Sequence, residues 1–256
     1  MIQLSISIMH CSWNAERVTM LRQIMERLNP HLDQLINFHI ADDVEKKGIW
    51  WNYKQALAHR HPRSTHHLVL QDDMLPCKNF IPALHKILYL KQAEIIHIFA
   101  SNNAVHEALA QDKHWYTQTD GSWGGSIILP RHKFDWVDWA DEYLNDFSKN
   151  CDDQRFDHYV MCHRFKIWSV APSLIEHIGY DKSLIGNSPK KWRLSKKYIG
   201  DDNPLEIDWT KGLTDPVEGN ATWATGNESL AFHLKRKYRL DMLKKIGFKS
   251  HFFPTD

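Results

Sequence analysis

Apolar and polar positions in the first two thirds of the chain follow two periods in turn. Over residues 2–9 the apolar residues Ile2, Leu4, Ile6 and Ile8 recur at every second place, which predicts a strand. His10-Cys11-Ser12-Trp13-Asn14 reads as the turn after it. Over 16–28 the spacing changes to Val18, Leu21, Ile24, Met25 and Leu28, a helical period closed by Asn29-Pro30. A second strand over 35–40 runs out on Ala41-Asp42-Asp43, and Gly48 separates it from a helix over 51–59 that stops near Pro62. Leu68-Val69-Leu70 is an unbroken apolar run, the pattern of a strand buried on both faces, and it ends on Gln71-Asp72-Asp73. A helix over 79–90 with Pro82 in its first turn and a strand over 94–100 ending on Ser101-Asn102-Asn103 follow. The resulting order, β-α-β-α-β-α-β, predicts an α/β fold with right-handed crossovers and a mostly parallel sheet.

The second half is less periodic. Residues 111–120 are polar and aromatic and read as a loop. Gly121-Ser122-Trp123-Gly124-Gly125-Ser126 reads as a flexible turn, and 127–130 as a brief strand. A helix is expected over 134–147, another over 156–165 behind Asp152-Asp153-Gln154, and a strand over 166–170. From about Asp181 the texture turns basic and turn-rich, and 201–225 reads as mostly loop. An amphipathic basic helix is expected over 228–246. The compact part is placed at 1–187, with 188–256 a basic extension packed on the same domain.

Composition narrows the class. Lys and Arg number 32 against 31 Asp and Glu, a near balance that argues against a dedicated nucleic-acid binder. The four cysteines form no C-x-x-C pair, so reduced thiols are the simpler reading. No apolar run is long enough to span a membrane, and the N-terminus lacks a secretory leader's pattern, so a cytoplasmic location is expected.

The chemistry is carried by acids and one histidine at strand ends. A P-loop, G-x-G-x-x-G, H-E-x-x-H and G-x-S-x-G are all absent. Ligands of open α/β sheets bind outside the carboxyl ends of the strands, where Asp42, Asp43, Asp72 and Asp73 fall. Adjacent acids repel, and a cation relieves that repulsion. The same pairs also suit strand ends entering turns, and Asp152 or Asp153 also suits a helix N-cap.

Taken in order, these pieces resemble the GT-A glycosyltransferases. Gln71-Asp72-Asp73 resembles their D-x-D-type motif, though as Q-D-D it puts the number of metal ligands in question. Trp123-Gly124-Gly125-Ser126 resembles the segment beside the donor sugar. Asp152-Asp153-Gln154 stands where the family places a catalytic or sugar-binding acid. Pro172-Ser173-Leu174-Ile175-Glu176-His177-Ile178-Gly179, followed by Ser183, is similar to a P-S-L-V-x-H-x-G segment of such enzymes, small phage-encoded ones among them.

The resemblance implies a Rossmann-like GT-A fold and a metal-dependent transfer of a hexosyl or pentosyl group from a nucleotide sugar, a UDP-sugar by preference, to an acceptor hydroxyl. It implies Mn²⁺ or Mg²⁺ held by Asp73 and His177, with donor contacts from Asp42, Asp43, Asp72, Trp123, Gly124, Gly125, Lys182 and Ser183. Asp153, with Asp152 beside it, is the expected base. The acceptor is a glycan or a hydroxymethylated base of viral DNA, the latter served by basic stretches at 190–197 and 235–245. A metal-dependent nucleic-acid-processing or binding protein is the alternative.

Overall fold

The computed structural model describes residues 1–119, 125–144, 152–184 and 193–219. The first strand, β1 (Leu4–His10), leads into α1 (Ala15–Leu28), β2 (Asn37–Asp42), α2 (Ile49–Ala58) and β3 (His66–Gln71). Then come the short β4 (Met74–Pro76), α3 (Phe80–Leu90), β5 (Ile95–His97), α4 (Ala104–Ala110), β6 (Trp115–Gln118) and β7 (Ser126–Pro130). The chain continues through α5 (Trp136–Tyr143), α6 (Asp152–His163), β8 (Ile167–Val170), β9 (Ile175–His177) and β10 (Val217–Glu218).

Eight of these strands form one mixed sheet in the order β10-β6-β8-β5-β7-β3-β1-β2. Its pairings are parallel for β1–β2, β1–β3, β5–β8 and β6–β10, and antiparallel for β3–β7, β5–β7 and β6–β8. Helices flank it, as the α/β reading expects.

The period-2 alternation in β1 marks two different buried faces rather than a core face and a wet one. Leu4, Ile6 and Ile8 join Leu68 and Leu70 of β3 in a core with Ile24 of α1 and Leu84 of α3. On the other face Met9 and Val69 pack with Tyr53 and Ala56 of α2, Trp136 of α5 and Phe156 of α6. Ser5 lies on that second face, and its Oγ meets His67 Nδ1 at 2.6 Å and accepts from Ser64 at 2.8 Å. Buried hydroxyls keep partners, so a polar residue in the alternation need not mean exposure.

Three expectations are corrected. Residues 111–120 are not all loop: Trp115–Gln118 is the buried strand β6. Its aromatic and β-branched side chains suit a pleated interior, and Gln118 meets a partner there, its Nε2 3.3 Å from His97 Nδ1. The helix expected over 134–147 is preceded by a 3₁₀ turn at Arg131–Lys133 and ends at Tyr143. The helix expected from 156 starts at Asp152. Residues 201–219 are largely irregular, as expected, apart from β10 on the outer edge of the sheet, while the helix expected at 228–246 lies outside the described residues.

Leu68 is fully buried, whereas Leu205 is 38% exposed. Leu68→Ala should cost about 2–5 kcal/mol and Leu205→Ala less than about 0.5 kcal/mol, read as the change in urea unfolding free energy.

Candidate active site at the carboxyl ends of the central strands

β1, β2 and β3 run parallel, so their carboxyl ends share one edge of the sheet, with His10 in register with Asp42 and Met9 with Gln71. Just past that edge the two-stranded pair β4–β9 sets Met74 opposite His177. This pairing brings two distant sequence motifs together. His177 Nε2 lies 3.1 Å from Asp73 Oδ2, and the Ile178 N–H donates to the Asp73 carbonyl at 2.9 Å. Gly179 lies so close that a Cβ there would fall 2.6 Å from Asp73 Oδ2, which leaves room only for glycine.

The acid pair is enclosed. Asp72 is 5% and Asp73 3% exposed. Asp72 Oδ2 accepts from the Cys11 N–H at 3.1 Å and lies 2.8 Å from His10 Nδ1, and its Oδ1 accepts from Arg17 Nη1 at 3.1 Å. The same Arg17 Nη1 pairs with Asp73 Oδ2, and Arg17 Nη2 donates to the Lys182 carbonyl at 3.3 Å. Asp73 Oδ1 has no hydrogen-bond partner among the described residues.

Burial and pairing pull these acids apart. Burial raises Asp72 above the usual carboxylate value, against the opposing pull of His10 and Arg17. Burial also works to raise Asp73, but the hydrogen bond and charge of His177 and the charge of Arg17 outweigh it and hold Asp73 well below the usual range. Asp73 is the acid that stays ionised.

His177 Nδ1 faces the Arg193 carbonyl at 3.2 Å, an acceptor only, so Nδ1 carries hydrogen. Nε2 then faces a carboxylate, and a proton or a metal ion must sit between them. Ligating histidines commonly donate their second N–H to a backbone carbonyl in this way. Two neighbouring ligands of one ion also stand about 3 Å apart when each bond is about 2.1 Å. The donor set and the open Asp73 Oδ1 therefore fit a divalent cation with two protein ligands once the Arg17 guanidinium is off Asp73 Oδ2. No group of three His, Cys, Asp or Glu suited to a metal occurs among the described residues.

A second layer connects to this one through Gln71. Its side chain fills the space where a Cβ on Gly125 would sit, 2.3 Å from Gln71 Cγ, and its Nε2 approaches Asp152 Oδ2 at 3.4 Å. Burial, then the charge of Asp153, raises Asp152 to about 8. Asp153, half-buried on the same helical turn, is raised by burial while the Arg193 charge pulls the other way. Trp123 and Gly124 lie outside the described residues.

The remaining expected contacts lie around the rim. Asp42 Oδ1 accepts from the Ser12 N–H at 3.0 Å. Asp43 is buried, and its two oxygens accept from the backbone N–H groups of Lys47 (2.7 Å) and Gly48 (2.8 Å), which shapes the loop into α2. Lys182 is exposed and its ammonium pairs with Glu16 at 3.0 Å, while Ser183 is half-buried. Ser173 pins the β9 strand, accepting from the Ala100 N–H and donating to the Ile175 carbonyl at 2.6 Å.

No protein-family model and no curated protein sequence matches the chain. Among solved structures, two of Staphylococcus aureus TarS, a glycosyltransferase, are similar in layout. A structure of its residues 1–349 aligns with TM-score 0.44 at 8% identity, over 68% of this chain and 59% of that one. A second TarS structure aligns with TM-score 0.43 at 9% identity, over 98% of this chain and 44% of that one. The chain thus spans less than two thirds of either. No helix among the described residues is long and apolar enough to cross a membrane.

The sequence motifs point to neither Arg17 nor His10. A signal for Arg17 exists: it stands in the first turn of α1, where a cation opposes the helix dipole, so a local rule is broken there. His10 closes β1 at the same edge as the acids.

A carboxyl raised by the fold contributes stability that is complete below its ordinary value of 3.8 and is lost as pH rises through about 8. Asp152→Asn should therefore raise Tm relative to the parent at pH 9 by about 2 °C or more, and the gain should shrink towards pH 4; differential scanning calorimetry across pH checks this. Gly179→Ala should displace Asp73, visible as a lost or shifted contact between Asp73 and His177 in a crystal structure of the variant.

Proposed function

We propose that the chain is a glycosyltransferase that moves a sugar from a nucleotide donor to an acceptor hydroxyl, with the donor's diphosphate seated at Asp73 and His177. The observation that carries this reading is the Asp73–His177 pair at the carboxyl edge of the sheet, with His177 held by the Arg193 carbonyl and Asp73 Oδ1 left open. Such an edge is where open α/β sheets bind their ligands.

When the bond to the sugar breaks, negative charge builds on the departing diphosphate. A divalent cation, Mn²⁺ or Mg²⁺, supplies Lewis-acid stabilisation of that charge when bound. Asp73 and His177 would hold it, the histidine through Nε2. Arg193, 7% exposed and close enough to feel both Asp73 and Asp153, adds positive charge between the donor end and the base end. Asp153 takes the acceptor's proton: it is the more accessible of the two helix-start acids, and its upward shift makes it a stronger base once ionised. Asp42, beside the Ser12 turn, faces the nucleoside end, and the enclosed Asp72 orients Arg17 and His10 rather than meeting the sugar directly.

Incubating the protein with UDP-, GDP- and other sugar nucleotides, with and without Mn²⁺, tests this. Glycan and hydroxymethylated-DNA acceptors extend the same panel. Metal-dependent donor turnover is expected, reduced on the order of 100-fold or more in Asp73→Ala and in Asp153→Asn. His177→Ala should weaken Mn²⁺ binding by about 10-fold or more. Cleavage of DNA without turnover of any donor would overturn the proposal.

A further inference from the structure

Arg17 occupies the space that the proposed cation needs. Its Nη1 pairs with Asp73 Oδ2, the same oxygen that stands 3.1 Å from His177 Nε2, and with Asp72 Oδ1 at 3.1 Å. Its Nη2 reaches the Lys182 carbonyl at 3.3 Å, and the Lys182 ammonium returns to Glu16, the residue before Arg17, at 3.0 Å. The guanidinium is therefore held by three acceptors, while its backbone is fixed by the N-cap bond from the Arg17 N–H to Asn14 Oδ1 at 3.1 Å. Asp73 Oδ1 is the oxygen left open.

A divalent ion held between Asp73 and His177 draws on the electron pairs of an oxygen that Arg17 already uses, and its charge repels the guanidinium at close range in a poorly solvated site. Resting on the metal placement proposed above, we propose that Arg17 is a competing internal cation: it closes the Asp72–Asp73 pair in the free protein, and a metal beside His177 Nε2 gains Asp73 Oδ2 only by taking that oxygen from Arg17. Arg17 thereby sets the metal affinity. Its long side chain can leave the carboxylate while α1 stays in place.

Mn²⁺ binding to the full chain, followed by electron paramagnetic resonance at fixed pH and ionic strength, tests this without reference to turnover. Arg17→Gln should tighten Mn²⁺ binding about tenfold or more, equal to about 1.4 kcal/mol. Arg17→Lys, which keeps a charge but not the fork, should fall between Arg17→Gln and the parent. Because Arg17→Gln strips the counter-charge from a buried pair, the double variant Arg17→Gln/Asp72→Asn, which restores the parent's net charge, should show tightening over the parent as well. Asp73→Asn should abolish binding in every background. Asp73-dependent Mn²⁺ binding of equal strength in the parent, Arg17→Gln and the double variant overturns the role of Arg17 and leaves the metal placement standing. Mn²⁺ bound by none of them overturns both.

Discussion

Two adjacent carboxylates enclosed at the end of a central strand must be compensated, and the arrangement around them follows from that requirement. An isolated buried charge is costly, and two of like sign are costlier. Asp72 is met by His10 and the Cys11 N–H from the end of β1 and by Arg17 from α1, while Asp73 is met by Arg17 and by His177 from β9. The compensation thus draws on parts of the chain that lie more than a hundred residues apart and could not be supplied by the β3 turn alone. The first helix, the first strand and the β4–β9 pair are positioned by the same two side chains.

A further set of contacts holds His177 in place. Segment 193–200 crosses β9: the Ser195 N–H and hydroxyl both donate to the Glu176 carboxylate at 2.8 Å, and the Arg193 carbonyl faces His177 Nδ1. The Ser173 N–H donates to the Lys197 carbonyl at 2.7 Å. A ring held at Nδ1 presents Nε2 in one orientation, so the strap converts a buried histidine into a directed donor. Gly125 and Gly179 serve the same end by absence: each leaves the space that Gln71 or Asp73 fills.

How far this was legible depended on whether the signal was local. The Leu68-Val69-Leu70 run and the alternation of β1 identified central strands because burial on both faces and period-2 spacing are written in neighbouring residues. Which face carried Ser5 was not, since its partners His67 and Ser64 come from β3 and the turn before it. β6 was missed because it follows the polar run Gln111-Asp112-Lys113-His114 and ends on Gln118, which looks like a loop residue until tertiary packing gives it a partner. At the site, His177 was picked out by its flanking residues alone, as a single histidine among 17 carries little information. Its partner Asp73 was legible as a strand-end acid. Arg17 was not, although a cation in the first turn of a helix against the dipole is the kind of local conflict that long-range pairing resolves.

The acids also divide by environment, and that division favours one assignment of roles. Pairs of titratable groups pushed in opposite directions commonly separate charge-holding from proton-transfer work. Asp73 is held down by His177 and Arg17 against its burial, so it keeps its charge through the neutral range and suits a cation. Asp152 is raised to about 8 and is 2% exposed, so near neutral pH it is mostly protonated and remote from an incoming hydroxyl. With Asp152 neutral, the charge that would repel an ionised Asp153 is removed, and the nearby positive Arg193 favours the ionised form of Asp153 further. Asp152 then acts as the silent neighbour that lets Asp153 work as the base, and the two helix-start acids differ because only one of them is fully enclosed.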